Sequence, residues 1–150
     1  LQVVWQADDL HNASRAPQLK PKQIINQTSM KTAREIVNHF YDVCNHQQGE
    51  GLANLVAEHI AFEGPIMRLT GAAQYIGAVG PLLKFHKGMT MLKQFEDGDQ
   101  VCSIYEMTLG TPTGGSLTLA FADWIRIADG KVAEQKLYYD PREFAKAFGI

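Results

Sequence analysis

Asp123 is the residue of this chain whose surroundings conflict most with its chemistry. It lies in the run LTLAFADWIRIA, residues 117–128, where Leu117, Leu119, Phe121, Ile125 and Ile127 alternate with Thr118, Ala120, Ala122, Trp124 and Arg126. Successive side chains of a strand point to opposite faces, so the alternation puts Asp123 in line with large apolar residues. A carboxylate placed there must find hydrogen bonds, meet a wet cavity or keep its proton. A buried carboxyl with a raised pKa can give or take a proton, which is the chemistry of a general acid or base. The plainer alternative is a structural aspartate bonded to a backbone amide or a helix end.

Other residues could work beside it. Gln135 and Tyr139 fall with Ala133 and Leu137 on one face of the following strand, from which they could steady a developing oxyanion. Tyr139 reads equally well as core with its hydroxyl at the rim. Glu106 reaches the same space if it faces inward with Cys102, Ile104 and Thr108, the register favoured here. A slip of one residue would instead turn Val101, Tyr105, Met107 and Leu109 inward and leave Glu106 in solvent. Phe40, Phe62, Tyr75, Ile104 and Phe121 would supply the apolar wall of a substrate cavity. His39, His46, His59 and His86 lack metal-ligand spacing, and no HExxH or paired Cys/His set occurs, so neither a metal nor a cofactor is expected. Cys44 and Cys102 have no CxxC spacing and read as buried free thiols.

At 150 residues the chain is most simply one domain with a real core. A net charge of −2 lacks the basic excess of a nucleic-acid binder. No apolar run nears the ~20 residues of a membrane-spanning helix. Neither nucleic acid nor membrane is therefore an expected partner, and the expected location is the cytoplasm. Residues 1–29, rich in Gln, Asn, Lys and Pro, read as a loosely ordered arm, or as an extension upstream of a native start at Met30. The folded domain is expected over residues 30–150.

Positioning the candidate residues requires helices followed by a sheet. Thr32-Ala-Arg-Glu35 is a capping box that opens a helix to about residue 47, with Ile36, Phe40, Val43 and Cys44 inward. A short helix over about 51–58, a short strand at 60–63 and a helix capped by Thr70 follow, the last kinked or ended by Gly80-Pro81. From Met89 the period changes to two. Strands at 89–96, 100–110, 117–128 and 131–139, separated by turn residues, make an antiparallel meander. Asp140-Pro141-Arg142-Glu143 then opens a final short helix. Helices first and strands after give an α+β class, with a curved four- or five-stranded antiparallel sheet wrapped around the N-terminal helices. The outward row of Ala120, Ala122 and Trp124 would be covered by a second copy, so a homodimer through the outer sheet face is expected.

This order of elements, with the phrases FADWIRIADGKVAEQKLYYDP and AFEGP…TGAAQYI, resembles the SnoaL-like polyketide cyclases and ketosteroid isomerases of the nuclear-transport-factor-2-like superfamily. The resemblance covers roughly residues 32–145 and implies a cone-shaped α+β fold around an apolar cavity. It also implies cofactor-free acid/base chemistry of isomerase, cyclase, dehydratase or hydrolase type on a small hydrophobic molecule. Ketosteroid isomerases carry a catalytic tyrosine on the first helix, where this chain has Phe40. Their base, an aspartate before a proline, falls on Gly64, and their acidic oxyanion donor falls on Asp123. SnoaL-like cyclases use an acid at the Asp123 position for acid/base work and commonly carry a histidine where this chain has Gln135. A non-catalytic small-molecule binding module, or a protein-interaction scaffold of the same fold, is the alternative.

Overall fold

A computed structural model describes residues 31–46 and 49–150, so the arm expected at 1–29 lies outside the described residues. Thr32 caps helix α1 (Ala33–Asn45) as the capping box requires. Its hydroxyl accepts the Glu35 amide at 3.2 Å, and the Glu35 carboxylate accepts the Thr32 amide at 2.8 Å. The buried face of α1 is Ala33, Val37, Phe40, Tyr41, Val43 and Cys44, with Ile36 only half-buried. That face follows the 37-40-41-44 spacing of a helix stripe, and it turns Tyr41 into the interior.

A 3-10 turn over Gly49–Asn54 replaces the expected helix at 51–58 and leads into β1 (Val56–Glu63), which starts earlier than expected. The chain then reverses into β2 (Arg68–Thr70), a short antiparallel partner of β1 that the sequence reading did not contain. Thr70 ends that strand and does not cap a helix. The turn into α2 (Ala72–Leu82) is made by Gly71, at a φ of 90° that glycine adopts without a steric penalty. The meander follows as β3 (His86–Asp97), β4 (Gln100–Gly110), β5 (Ser116–Ala128) and β6 (Lys131–Tyr138). Helix α3 (Pro141–Phe148) closes the chain, capped by the Asp140 carboxylate on the Arg142 amide.

The strands form one six-stranded sheet in the order β2-β1-β6-β5-β4-β3. All pairs are antiparallel except β1 with β6, so the sheet is mixed and larger than the four or five antiparallel strands expected. The parallel pair sets the first strand beside the last, and the curved, unclosed sheet wraps α1 and α2 as an α+β cone. α1 packs on β3, β4 and β5, and α2 on β1 and β2. No described helix is long and apolar enough to cross a membrane.

Register between β4 and β5 decides what meets Asp123. Directly opposed residues of an antiparallel pair share a face. Ser103 opposes Asp123, Tyr105 opposes Phe121 and Val101 opposes Ile125, and all six are buried. Glu106 opposes Ala120 and Ile104 opposes Ala122, both on the outer face. The inward register favoured from sequence is therefore off by one residue. Glu106 is exposed, and neither Glu106 nor Ile104 reaches the cavity. The loop at 111–115, closed by the Thr111 amide on the Gly115 carbonyl at 2.9 Å, fixes which residues face each other.

Side chains at this register carry different energetic weights. Ile125→Ala, at a fully buried position, should lower the unfolding free energy by about 2–5 kcal/mol. Glu106→Ala should change it by no more than about 0.5 kcal/mol. Urea unfolding with unchanged m-values checks both, and a large loss from Glu106→Ala would return that carboxylate to the interior.

Candidate active site

Asp123 is fully buried, and donors from α1, β4 and β6 converge on its carboxylate. The Tyr41 hydroxyl donates to Oδ2 at 3.0 Å, and the Tyr105 hydroxyl lies 3.4 Å from the same oxygen. Gln135 Nε2 sits 3.1 Å from Oδ1 and 3.0 Å from Oδ2. An ionised carboxylate can only accept, so Gln135 must turn its nitrogen toward Asp123 and its oxygen away. That oxygen accepts the Tyr75 hydroxyl of α2 at 2.7 Å. Ser103, opposite Asp123 on β4, accepts from Gln94 Nε2 at 3.1 Å.

Burial pushes the Asp123 carboxyl up to about 6, although the bonds from Gln135, Tyr41 and Tyr105 pull the other way. Desolvation therefore outweighs the donors without overwhelming them. Burial, with the Asp123 charge adding to it, drives the Tyr41 and Tyr105 phenols well above their ordinary value, so both stay protonated and able to donate. Cys44 is pushed up to about 12 by burial and then by Asp123, which leaves an inert thiol where a nucleophile would need a thiolate.

These groups form the polar end of a cavity of about 140 Å³. The rest of its wall is largely apolar, with Phe62, Met67, Val79, Leu83 and Met107 among its members. His86, buried at the start of β3, also faces it, and burial lowers its pKa so that the neutral ring is favoured. One part of the wall is a run of rings from Phe144 through Tyr139, Phe121, Tyr105 and Tyr41 to Phe40, extended behind the wall by Phe148 and Phe85, with neighbouring centroids 4.5 Å to 6.0 Å apart.

Of the residues chosen from sequence, Asp123, Gln135, Phe40, Phe62, Tyr75 and Phe121 all line this cavity. Tyr75 does more than form wall, since its hydroxyl orients Gln135. Tyr139 lines the cavity half-buried and packs on Phe121 at 4.9 Å and on Phe144, but it is not among the donors on Asp123. Glu106 and Ile104 are excluded by the register, and His39 is exposed. Tyr41 and Tyr105 were missed. Their signals were present, in the 37-40-41-44 helix stripe and in the alternation of Val101, Ser103, Tyr105 and Leu109. The isomerase resemblance aligned a catalytic tyrosine with Phe40, and the hydroxyl comes from the next residue. At Gly64 a Cβ would stand 3.2 Å from the Phe62 ring, so Phe62 fills the space beside the position aligned with the isomerase base. Among the described residues no group of three or more His, Cys, Asp or Glu is placed to hold a metal ion.

The family model of the SnoaL-like domain matches residues 37–135, a stretch that holds Tyr41, Tyr75, Tyr105, Asp123 and Gln135. The chain belongs to the SnoaL-like family. Among solved structures, this SnoaL-like domain is similar to an NTF2-like protein of unknown function from Cytophaga hutchinsonii, with a TM-score of 0.67 and 24% identity over 77% of this chain and 96% of that one. An NTF2-like protein of unknown function from Burkholderia pseudomallei has a TM-score of 0.70 at 15% identity, covering 81% of this chain and 100% of its own. A steroid delta-isomerase from Pseudomonas aeruginosa has a TM-score of 0.63 at 19% identity, covering 78% and 85%. At these identities the likeness is one of fold. Comparison with curated proteins finds no match.

The raised pKa of Asp123 has a defined stability signature. Its folded value of about 6 exceeds the ~3.9 of an unfolded aspartate. The folded state therefore binds the proton more tightly. This group's stabilisation is complete below about 4 and is lost as pH rises through about 6. Carboxyl NMR titration should place the Asp123 midpoint near 6. Tyr41→Phe and Tyr105→Phe should each raise it, because each removes a donor that favours the anion. An ordinary aspartate midpoint in the wild type would mark a solvated or ion-paired carboxylate instead.

Proposed function

We propose that this SnoaL-like domain is an enzyme that moves a proton on a small hydrophobic carbonyl compound, with Asp123 as acid and base and no cofactor. The observation that carries the reading is a buried carboxyl, held by protonated donors in the wall of a largely apolar cavity, where burial raises its pKa to about 6. Near neutrality Asp123 is mostly ionised and can take a proton from the carbon next to the carbonyl, leaving an enolate. Once protonated, the carboxyl no longer needs every donor. The Tyr41 or Tyr105 hydroxyl is then free to turn to the oxyanion formed in the same step. Gln135, steadied by Tyr75, keeps the carboxyl oriented while Asp123 returns its proton to a second carbon of the substrate, which completes an isomerisation.

Exchange of hydrogen for deuterium beside the carbonyl of small ring ketones, followed by NMR in heavy water, tests this directly. Catalysed exchange should rise with pH through a midpoint near 6. It should fall by about a hundredfold or more in Asp123→Asn, the scale of a lost general base. Ketones that bind without exchanging would make the domain a binding module, and the absence of both would remove the site altogether.

A second copy of the chain is the partner proposed for the outer sheet face. Phe95, Cys102, Trp124 and Lys136 align across β3 to β6 on that face, and Phe95 and Tyr138 are 57% and 59% exposed. The Lys136 ammonium lies 5.6 Å above the Trp124 ring, which leaves the row apolar but not bare. Trp124→Glu should yield monomers in sedimentation where the wild type is dimeric. A wild type that sediments as a monomer at micromolar concentration would overturn the pairing.

A further inference from the structure

The last residue of α1, Asn45, lines the same cavity as Asp123. Among the described residues, its side-chain oxygen is buried without a hydrogen-bond partner. Such groups are rare in native interiors because an unpaired buried acceptor loses its water and gains nothing in exchange. Asn45 lies four residues beyond Tyr41, on the same side of the helix. One helical turn, about 6 Å, therefore separates it from the residue that holds the Asp123 end of the cavity. An amide oxygen carries only lone pairs, so whatever completes it must donate, as a hydroxyl or an N–H does.

Size and charge narrow the ligand further. The cavity of about 140 Å³ matches the ~150 Å³ that takes one benzene molecule, so its enclosed part suits a single ring. The charge in its wall is the Asp123 carboxylate, beside a neutral-favouring His86, so an anionic ligand would be desolvated beside a like charge. We propose that Asn45 is a ligand-recognition residue, and that the cavity takes a neutral single-ring carbonyl compound carrying a hydroxyl or N–H across the ring, which donates to Asn45 Oδ1. The position of the carbonyl rests on the chemistry proposed for Asp123; the position of the donor rests on Asn45 alone.

The test compares 4-hydroxycyclohexanone with 4-methylcyclohexanone, nearly equal in size, by NMR titration of the full chain. A cavity with no use for a donor ranks the methyl compound first, because a hydroxyl buried unpaired is penalised. The wild type should instead bind the hydroxy compound on the order of tenfold more tightly, the scale of one buried hydrogen bond. Asn45→Leu and Asn45→Ala should each reverse the order, the second without filling the site. A wild type that ranks the two equally or prefers the methyl compound overturns the proposal. So does a hydroxyl preference that survives both Asn45 variants, or no binding of either compound at millimolar concentration. Deuterium exchange in the same samples separates the two readings. A hydroxyl preference without exchange keeps the Asn45 role and removes the acid/base chemistry, whereas exchange without the preference does the reverse.

Discussion

A carboxylate held in an apolar interior is the constraint on which the rest of this molecule depends. Removing it from water costs several kcal/mol even after relaxation. Each hydrogen bond to a charged group returns only about 1.5–3 kcal/mol. Fewer donors would let the carboxyl keep its proton to higher pH, and a more polar shell would bring it toward an ordinary aspartate. With Tyr41, Tyr105 and Gln135 in place, the balance falls at a pKa of about 6. Those donors come from a helix and two strands, and the helix donor lies 82 residues from Asp123 in the chain. The placement of α1 against the sheet is thus part of the acid's chemistry as well as of the core.

Local pattern and long-range pairing divided the legibility of the sequence. The alternation from Leu117 to Ile127 exposed Asp123 as misplaced, and that face is the one found buried. The capping box at Thr32, the meander and the final helix were legible because each is specified within a few residues. The pairing of β1 beside β6 was not, since a parallel pair brings together segments with no turn between them to announce it. β2, at three residues, is too short to show any alternation. The β4 register failed for a subtler reason. Both faces of that strand read as half apolar, with Cys102 and Ile104 on one and Val101 and Tyr105 on the other. Only the loop geometry at 111–115 chooses between them.

Position-by-position comparison with a family has a similar limit in this cavity. The resemblance put Phe40 where isomerases carry a tyrosine, and Phe40 does line the cavity. The hydroxyl that reaches the carboxylate belongs to Tyr41, a residue that the same helix face also turns inward. Phe40 and Tyr41 lie on one buried helix stripe, so an offset of one residue in the comparison changes which of them carries the hydroxyl. At Gly64 and Gln135 the neighbours matter too, since Phe62 stands beside the first and the Tyr75 hydroxyl orients the second.

The run of rings from Phe85 to Phe40 also bears on how such a cavity changes over generations. Each ring is seated against the next, and close-packed interiors do not yield freely when one member changes volume. A substitution at Phe121 would be felt at Tyr105 and Tyr139 before it altered the space open to a ligand. New specificities on this side of the wall would therefore arise through paired substitutions, in which the first is tolerated only because the second compensates. Lining residues outside the run, such as Met67 and Val79, are not seated ring against ring and can accept single changes. Variation among descendants of this sequence should accordingly collect at such positions, while the rings change rarely and in concert.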